Sequence, residues 1–161
     1  MHARKREHHA PPENVELGLE RIVFFSDAVM AIAITLLVID LKLPEAPLGA
    51  SASDLAAQLR ELTPRFVSFF ISFAVVGVYW SSHHRYFRYI KRYDGVLIFL
   101  NLVFLMFIAL VPFFTGMLGL YGNAPLAVAS YALSVAAIGL SIGALWWYAS
   151  YRHRLVDEKL D

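Results

Sequence analysis

The stretch that decides the fold runs from Arg21 to Asp40 and reads RIVFFSDAVMAIAITLLVID. Its length and apolar character suit a helix that crosses the hydrocarbon core of a bilayer, which takes about 20 residues. Ser26 and Asp27 nevertheless lie in its first half. A carboxylate inside a membrane is energetically unfavourable, so it needs polar partners and marks a candidate functional site.

The composition extends this interpretation to the whole chain. Of its 161 residues, 58% are hydrophobic and 17% are charged, which is too apolar for a water-soluble domain of this size. We predict an all-α integral membrane protein, a helical bundle in a lipid bilayer with four transmembrane helices per chain. The predicted spans lie at about residues 19–41, 66–83, 95–117 and 126–150, between polar tails at 1–18 and 151–161.

The basic residues predict the orientation. Lys42, Arg60 and Arg65 fall on one side of the predicted spans, and the other Lys and Arg residues fall on the opposite side. Because cytoplasmic segments of membrane proteins are enriched in Lys and Arg, both termini and the basic segment between the second and third spans are expected in the cytoplasm. Snorkelling anchors explain that basic segment better than a nucleic-acid surface does.

Two further patterns concern packing. Ser53 is a candidate N-cap for a short interfacial helix, DLAAQLREL, that follows the first span. The fourth span carries small residues at Ala132, Ala136, Gly139 and Gly143. Such a face permits close approach between membrane helices, so we expect it to pack on another helix.

Polar residues of three spans are expected to share one layer near the cytoplasmic side. Asp27 lies roughly 9 Å along its helix from Arg21, and Asn101 lies roughly 10 Å into the third span. Trp80 and His84 reach a similar depth from the second span. One interpretation is a structural clasp between helices, and another is a proton relay or ion site built on Asp27 and His84.

Several kinds of chemistry are disfavoured. The chain has no cysteine, which excludes disulfides, thiolate metal sites and a cysteine nucleophile. His83 and His84 are adjacent, so they project about 100° apart on a helix and suit a shared metal ion poorly. No catalytic triad, phosphate-binding loop or metalloprotease motif is visible. We therefore predict a protein that is not an enzyme and holds neither a metal nor a cofactor.

The first helix has a second face opposite Asp27. On a helical wheel of about 100° per residue, four residues form a stripe near mid-bilayer. They are Ile32, Thr35, Leu36 and Ile39. In a single chain this stripe would face lipid or another helix, whereas copies arranged around an axis would form a narrow pore with a hydrophobic constriction.

The signature Arg21-Ile22-Val23-Phe24-Phe25-Ser26-Asp27 resembles the Arg-x-x-x-Phe-Ser-Asp motif of the transmembrane protein 175 family. The segments AVMAIAITLLVIDLKLP and SFAVVGVYWSSHHRYFRYIKRYDGVLIFLNLVFLMFIALVPF are also similar to that family. The resemblance covers roughly residues 19–150.

This resemblance implies a potassium-permeable cation channel without a TVGYG filter, in the plasma membrane of a prokaryote. It implies a homotetramer whose pore is lined by the first helix, with the constriction at Ile32 and flanking layers at Thr35, Leu36 and Ile39. It also implies an intramembrane polar network comprising Arg21, Ser26, Asp27, Trp80, His84 and Asn101. Potassium would be the permeating ion.

The number of spans leaves alternatives open. Prokaryotic relatives are expected to have six spans in each chain, whereas this sequence shows four. A non-conducting membrane scaffold or a truncated subunit that needs a partner is therefore a second hypothesis. A proton-coupled carrier that uses Asp27 is a third.

Overall fold

The computed structural model describes residues 13–42 and 51–156. Five α-helices follow one another in this part of the chain: α1 (Glu13–Leu36), α2 (Ala52–Glu61), α3 (Thr63–Tyr89), α4 (Gly95–Tyr121) and α5 (Pro125–Ser150). Short 3-10 turns follow α1 at Leu37–Asp40 and α5 at Tyr151–His153. Four helices, namely α1 with its turn, α3, α4 and α5, are long and apolar enough to cross a membrane. The predicted all-α membrane fold with four spans is confirmed.

The helices differ from the predicted spans mainly at the start of α1 and at the end of α3. α1 already begins at Glu13, within the segment predicted as a polar tail. α3 continues past His83 to Tyr89, because Phe87 and Ile90 extend its buried face into the bundle. Residues 1–12 and 157–161 of the predicted tails lie outside the described residues.

The short helix α2 is capped two residues earlier than predicted. The Ser51 hydroxyl accepts a hydrogen bond from the Asp54 backbone N–H at 3.3 Å, and the Asp54 carboxylate accepts one from the Ser51 N–H at 2.9 Å. This reciprocal arrangement is a capping box. The assignment of Ser53 as the cap is therefore wrong, because the helix begins at Ala52 and places Ser53 inside the first turn.

The core of the bundle forms around α4, which packs against α1, α3 and α5. Residues from all four spans fill it. The central cluster comprises Met30, Ala33, Leu37, Val76, Phe104, Leu105, Ile108, Val111, Ile138 and Ile142.

The predicted packing face of α5 is wrong within this chain. Ala132, Ala136 and Gly143 are exposed, and only Gly139 borders a neighbour, the Tyr79 hydroxyl. α5 instead turns larger residues inward, at the three-to-four-residue spacing of a helix face. They include Tyr131, Ile138, Ile142 and Leu145.

Residues 151–156, here called the C-terminal strap, fold back against the α3–α4 connection of the bundle. Leu155 and Val156 are only 5% and 4% exposed. The Leu155 carbonyl accepts a hydrogen bond from the Lys91 backbone N–H at 2.8 Å, and Val156 forms a β-bridge with Ile90. The predicted polar tail at 151–161 therefore begins with a segment that packs against the bundle, because two apolar side chains within it find a buried site.

Asp94 links the start of α4 to the last turns of α5, close to the C-terminal strap. Its carboxylate accepts hydrogen bonds from the Leu97 backbone N–H at 2.9 Å and from the Tyr148 hydroxyl at 2.6 Å. Burial by itself raises the pKa of Asp94, but these hydrogen bonds and nearby Arg154 outweigh it and hold the pKa below its ordinary value.

We predict that Asp94→Ala destabilises the protein at neutral pH, by about 1 kcal/mol for the lost cap. A lowered folded-state pKa means that the carboxylate stabilises the fold above the pKa of the unfolded chain and ceases to do so as pH falls through the folded value. Thermal unfolding in detergent at pH 7 and near pH 3 should show the difference between wild type and variant shrinking with acid. A difference that grew with acid would contradict this account of Asp94.

Candidate functional site

Three buried polar side chains link α1, α3 and α4 in the half of the bundle that contains the α3–α4 connection. The Asn101 amide nitrogen donates to the Ser26 hydroxyl at 2.9 Å, and the Asn101 carbonyl oxygen lies 3.0 Å from His83 Nε2. The Ser26 hydroxyl in turn donates to the Ile22 carbonyl at 2.8 Å. We call Ser26, His83 and Asn101 the inner polar network. Because the Asn101 oxygen can only accept, Nε2 of His83 must carry its proton.

His83 replaces His84 in this network. The His83 ring is fully buried and stacks on Phe87 and Phe104, with ring centroids 4.3 and 5.5 Å away. Its Nδ1 atom is buried and has no hydrogen-bond partner among the described residues. His84, which the predicted network included, makes no hydrogen bond with Asn101 among the described residues, since the next residue along a helix points about 100° away. The signal was present in the sequence, because His83 follows Val76 by seven residues on the buried stripe of α3.

Asp27 forms a separate contact at the edge of the bundle. The Trp80 indole N–H donates to the Asp27 carboxylate at 2.8 Å, and the Trp80 ring stacks on His84 with centroids 5.8 Å apart. Asp27 is half-buried, whereas His84 is exposed. The single layer expected from the sequence is thus divided into a buried amide–imidazole pair and a peripheral carboxylate–indole pair.

Arg21 does not reach Asp27. The two residues lie six positions apart on α1, which places them about 120° apart around the helix. Both belong to the described part of the chain, and they form no ion pair with each other there. Arg21 is exposed in the N-terminal half of α1.

The four residues of the predicted pore stripe share the uncovered face of α1. Ile32 is 59% exposed and Ile39 is 53% exposed, and Thr35 and Leu36 are exposed beside them. The Thr35 hydroxyl donates to the Ile32 carbonyl at 2.8 Å, so it is satisfied within its own helix. The opposite face of α1 is buried and carries Ser26, Met30, Ala33 and Leu37.

A second buried polar cluster joins α3, α4 and α5 in the half of the bundle away from the α3–α4 connection. It was not predicted from the sequence. The Thr115 hydroxyl donates to the Ser72 hydroxyl at 2.7 Å, and the Tyr131 hydroxyl lies 3.0 Å from Ser72. Nearby, Asp40 and Arg65 border a cavity of about 30 Å³. The only signal was the position of Ser72 on the inward stripe of α3, because its partners lie 43 and 59 residues away.

The polar residues do not assemble into a metal-binding group. In residues 13–42 and 51–156, no three His, Asp or Glu side chains lie close enough to hold an ion together. One face of α1 thus carries an exposed, mostly apolar stripe, and the opposite face forms buried hydrogen bonds with other helices.

Comparison with known proteins identifies the family. The family model described as endosomal/lysosomal potassium channel TMEM175 matches residues 21–112, more than half of the chain. This chain belongs to the TMEM175 family. The family consists of ion channels rather than enzymes.

Individual relatives of the TMEM175 family agree with this assignment. A potassium channel of Streptomyces collinus is 40% identical over 146 residues, which cover 88% of this chain and 69% of that protein. The crystal structure of a lysosomal potassium-selective channel TMEM175 homolog from Chamaesiphon minutus superimposes with a TM-score of 0.78 at 36% identity, over 84% of this chain and 73% of that one. The human endosomal/lysosomal proton channel TMEM175 is 35% identical over 101 residues, or 60% of this chain and 20% of that protein.

The adjacent histidines provide a matched test of the inner polar network. We predict that His83→Ala lowers the free energy of unfolding by about 3 kcal/mol or more, because it leaves a cavity and removes the partner of Asn101. His84→Ala should change it by less than about 1 kcal/mol, as expected for an exposed side chain. Thermal or denaturant unfolding in detergent measures both. Equal losses for the two variants would contradict the assignment of His83.

Proposed function

We propose that this chain is the subunit of a potassium-permeable channel, a homotetramer whose central pore is lined by α1. The observation that carries the proposal is the uncovered stripe of Ile32, Thr35, Leu36 and Ile39, opposite the face that α1 buries in its own bundle. Ile32 forms the narrowest apolar ring, and the other three residues form flanking layers. Both termini lie in the cytoplasm of a prokaryotic cell, in keeping with the distribution of Lys and Arg.

The character of the stripe supports a pore in preference to lipid. The exposed face of α4 carries mainly large side chains such as Phe99, Met106, Leu110 and Phe113. The uncovered face of α1 includes small and hydroxylated residues among its aliphatic ones, with Ala28 and Thr35 beside Ile32. An aliphatic ring with a hydroxyl layer next to it can pass a partly dehydrated cation and can also close by dewetting.

The inner polar network has a structural part in this proposal. It fastens the back of α1 to α3 and α4, so the front of α1 is free to face an axis. The Asp27–Trp80 hydrogen bond supports the same edge of the helix. Neither contact points toward the stripe, so the ion does not need to touch Asp27.

Protons are a second candidate ion. The mammalian relatives in the family are named proton channels, whereas the bacterial relatives are named potassium channels. The half-buried Asp27 is a titratable group on α1, five residues before Ile32. Proton flux can be measured with a pH-sensitive dye inside liposomes that contain the purified protein. Loss of proton flux in Asp27→Asn, together with a normal potassium flux, would assign a proton path to that carboxylate.

We predict that the purified protein conducts potassium when it is reconstituted into liposomes. Ile32→Asn should raise the flux severalfold, because a polar ring at the constriction is easier to wet. Leu140→Asn is the matched control, since Leu140 is 76% exposed on α5 and lies away from α1. Absence of flux from the wild type, or equal effects of the two variants, would refute the proposal.

The assembly can be tested separately because the chain contains no cysteine. We predict that Ile39→Cys forms disulfide-linked dimers on oxidation in membranes, because equivalent residues approach one another around an axis. Leu140→Cys should remain monomeric on a denaturing gel. A native mass of one chain together with no crosslinking would favour the non-conducting scaffold or an incomplete subunit.

A further inference from the structure

Tyr93, in the connection between α3 and α4, contacts α1. Tyr93 places its phenol ring directly against Gly18, and a Cβ atom added at position 18 would overlap the ring. Glycine inside a helix is unfavourable and usually has a packing reason. Here the reason is that only glycine lets the ring approach the α1 backbone this closely.

The connection is held on both sides of Tyr93. Before it, the backbone N–H groups of Lys91 and Arg92 donate to the Leu155 carbonyl of the C-terminal strap, at 2.8 and 3.3 Å. After it, Asp94 is fixed by the Tyr148 hydroxyl of α5 at 2.6 Å. The backbone at Tyr93 therefore has little freedom to move away from α1.

The strap itself is firmly seated. Leu155 and Val156 are buried in a cluster with Phe87, Leu97, Leu145 and neighbouring apolar residues. The two residues before Arg154 have positive φ angles of 54° and 51°, which L-residues adopt rarely. Such a backbone persists only where the surrounding contacts hold it, and the buried Leu155 and Val156 side chains provide those contacts.

We propose that Tyr93 is a positioning residue for α1: the strap and Tyr148 hold the α3–α4 connection, and Tyr93 thereby fixes the cytoplasmic end of the pore helix. Gly18 precedes Leu36 by about five helical turns, so the contact bears on the side of α1 that carries Leu36. A stiff helix transmits a displacement at Gly18 to the constriction at Ile32. This last step rests on the proposed channel function, whereas the linkage from strap to α1 does not.

A double-mutant cycle tests the contact in the reconstituted full chain. Tyr93→Ala removes the ring, and Gly18→Ala pushes it aside without requiring backbone movement, because the overlapping atoms are the tip of a side chain. Each variant should lower the potassium-to-sodium flux ratio by about fivefold, as a modest coupling between sites does. The double variant Gly18→Ala/Tyr93→Ala should be closer to wild type than the additive expectation, because the added methyl then occupies free space.

Controls separate positioning from general stability. Tyr93→Phe retains the ring and should keep the wild-type ratio, and Tyr121→Ala, at an exposed tyrosine far along α4, should do the same. A variant that is merely less folded would lower both fluxes together and leave their ratio unchanged. Additive effects of Gly18→Ala and Tyr93→Ala, or an unchanged ratio in both, would overturn the proposal.

Hydrogen exchange tests the linkage without any ion flux. Leu155→Asp should release the strap and raise exchange at residues 91–94 and at residues 16–22 of α1 together. His153→Asp adds the same charge at an exposed position where Asp tolerates the positive φ, so it should leave both regions protected. Faster exchange at 91–94 with unchanged α1 would refute the linkage. If the wild type conducts no potassium, the channel proposal fails and this experiment still decides the linkage.

Discussion

The hydrogen bonds of Asn101 are the interactions on which the rest of the bundle depends. In a low-dielectric interior, a buried polar group must find a partner or the fold loses the free energy of its desolvation. Asn101 satisfies Ser26 of α1 with its amide nitrogen and His83 of α3 with its oxygen. A single side chain on the central helix therefore fixes the rotation of α1 and α3, and through that rotation it decides which face of α1 remains uncovered.

The first helix, with the turn that follows it, is held at both ends by contacts that need small residues. After the C-terminal end of α1, the Asp40 carboxylate lies where a Cβ on Gly116 would come within 2.6 Å of it, and Arg65 donates to the Asp40 carbonyl at 3.3 Å. Near the N-terminal end, Tyr93 packs on Gly18. Glycine at both places lets polar or aromatic groups of one element approach the backbone of another. Between these ends, the stripe of Ile32, Thr35 and Leu36 is left exposed by the described residues.

Several features of the site could be predicted and others could not. Apolar length predicted four membrane helices, and the helical period placed Ile32 and Ile39 on the face opposite Asp27. His84 was chosen over His83 because depth alone does not distinguish neighbours that point in different directions. The Ser72, Thr115 and Tyr131 cluster was missed because hydroxyl groups are common in membrane helices and carry no signal of their own.

The sequence by itself determined the number of spans, the chemistry of the α1 stripe and the depth of its polar residues. These follow from hydropathy and from the fixed rise and period of a helix, which are local properties of the chain. Only the tertiary structure decided which histidine meets Asn101, that Asp27 pairs with Trp80, and that Leu155 and Val156 return under the bundle. Those outcomes depend on how helices far apart in the chain rotate against one another, because each buried donor and acceptor must be satisfied at the same time.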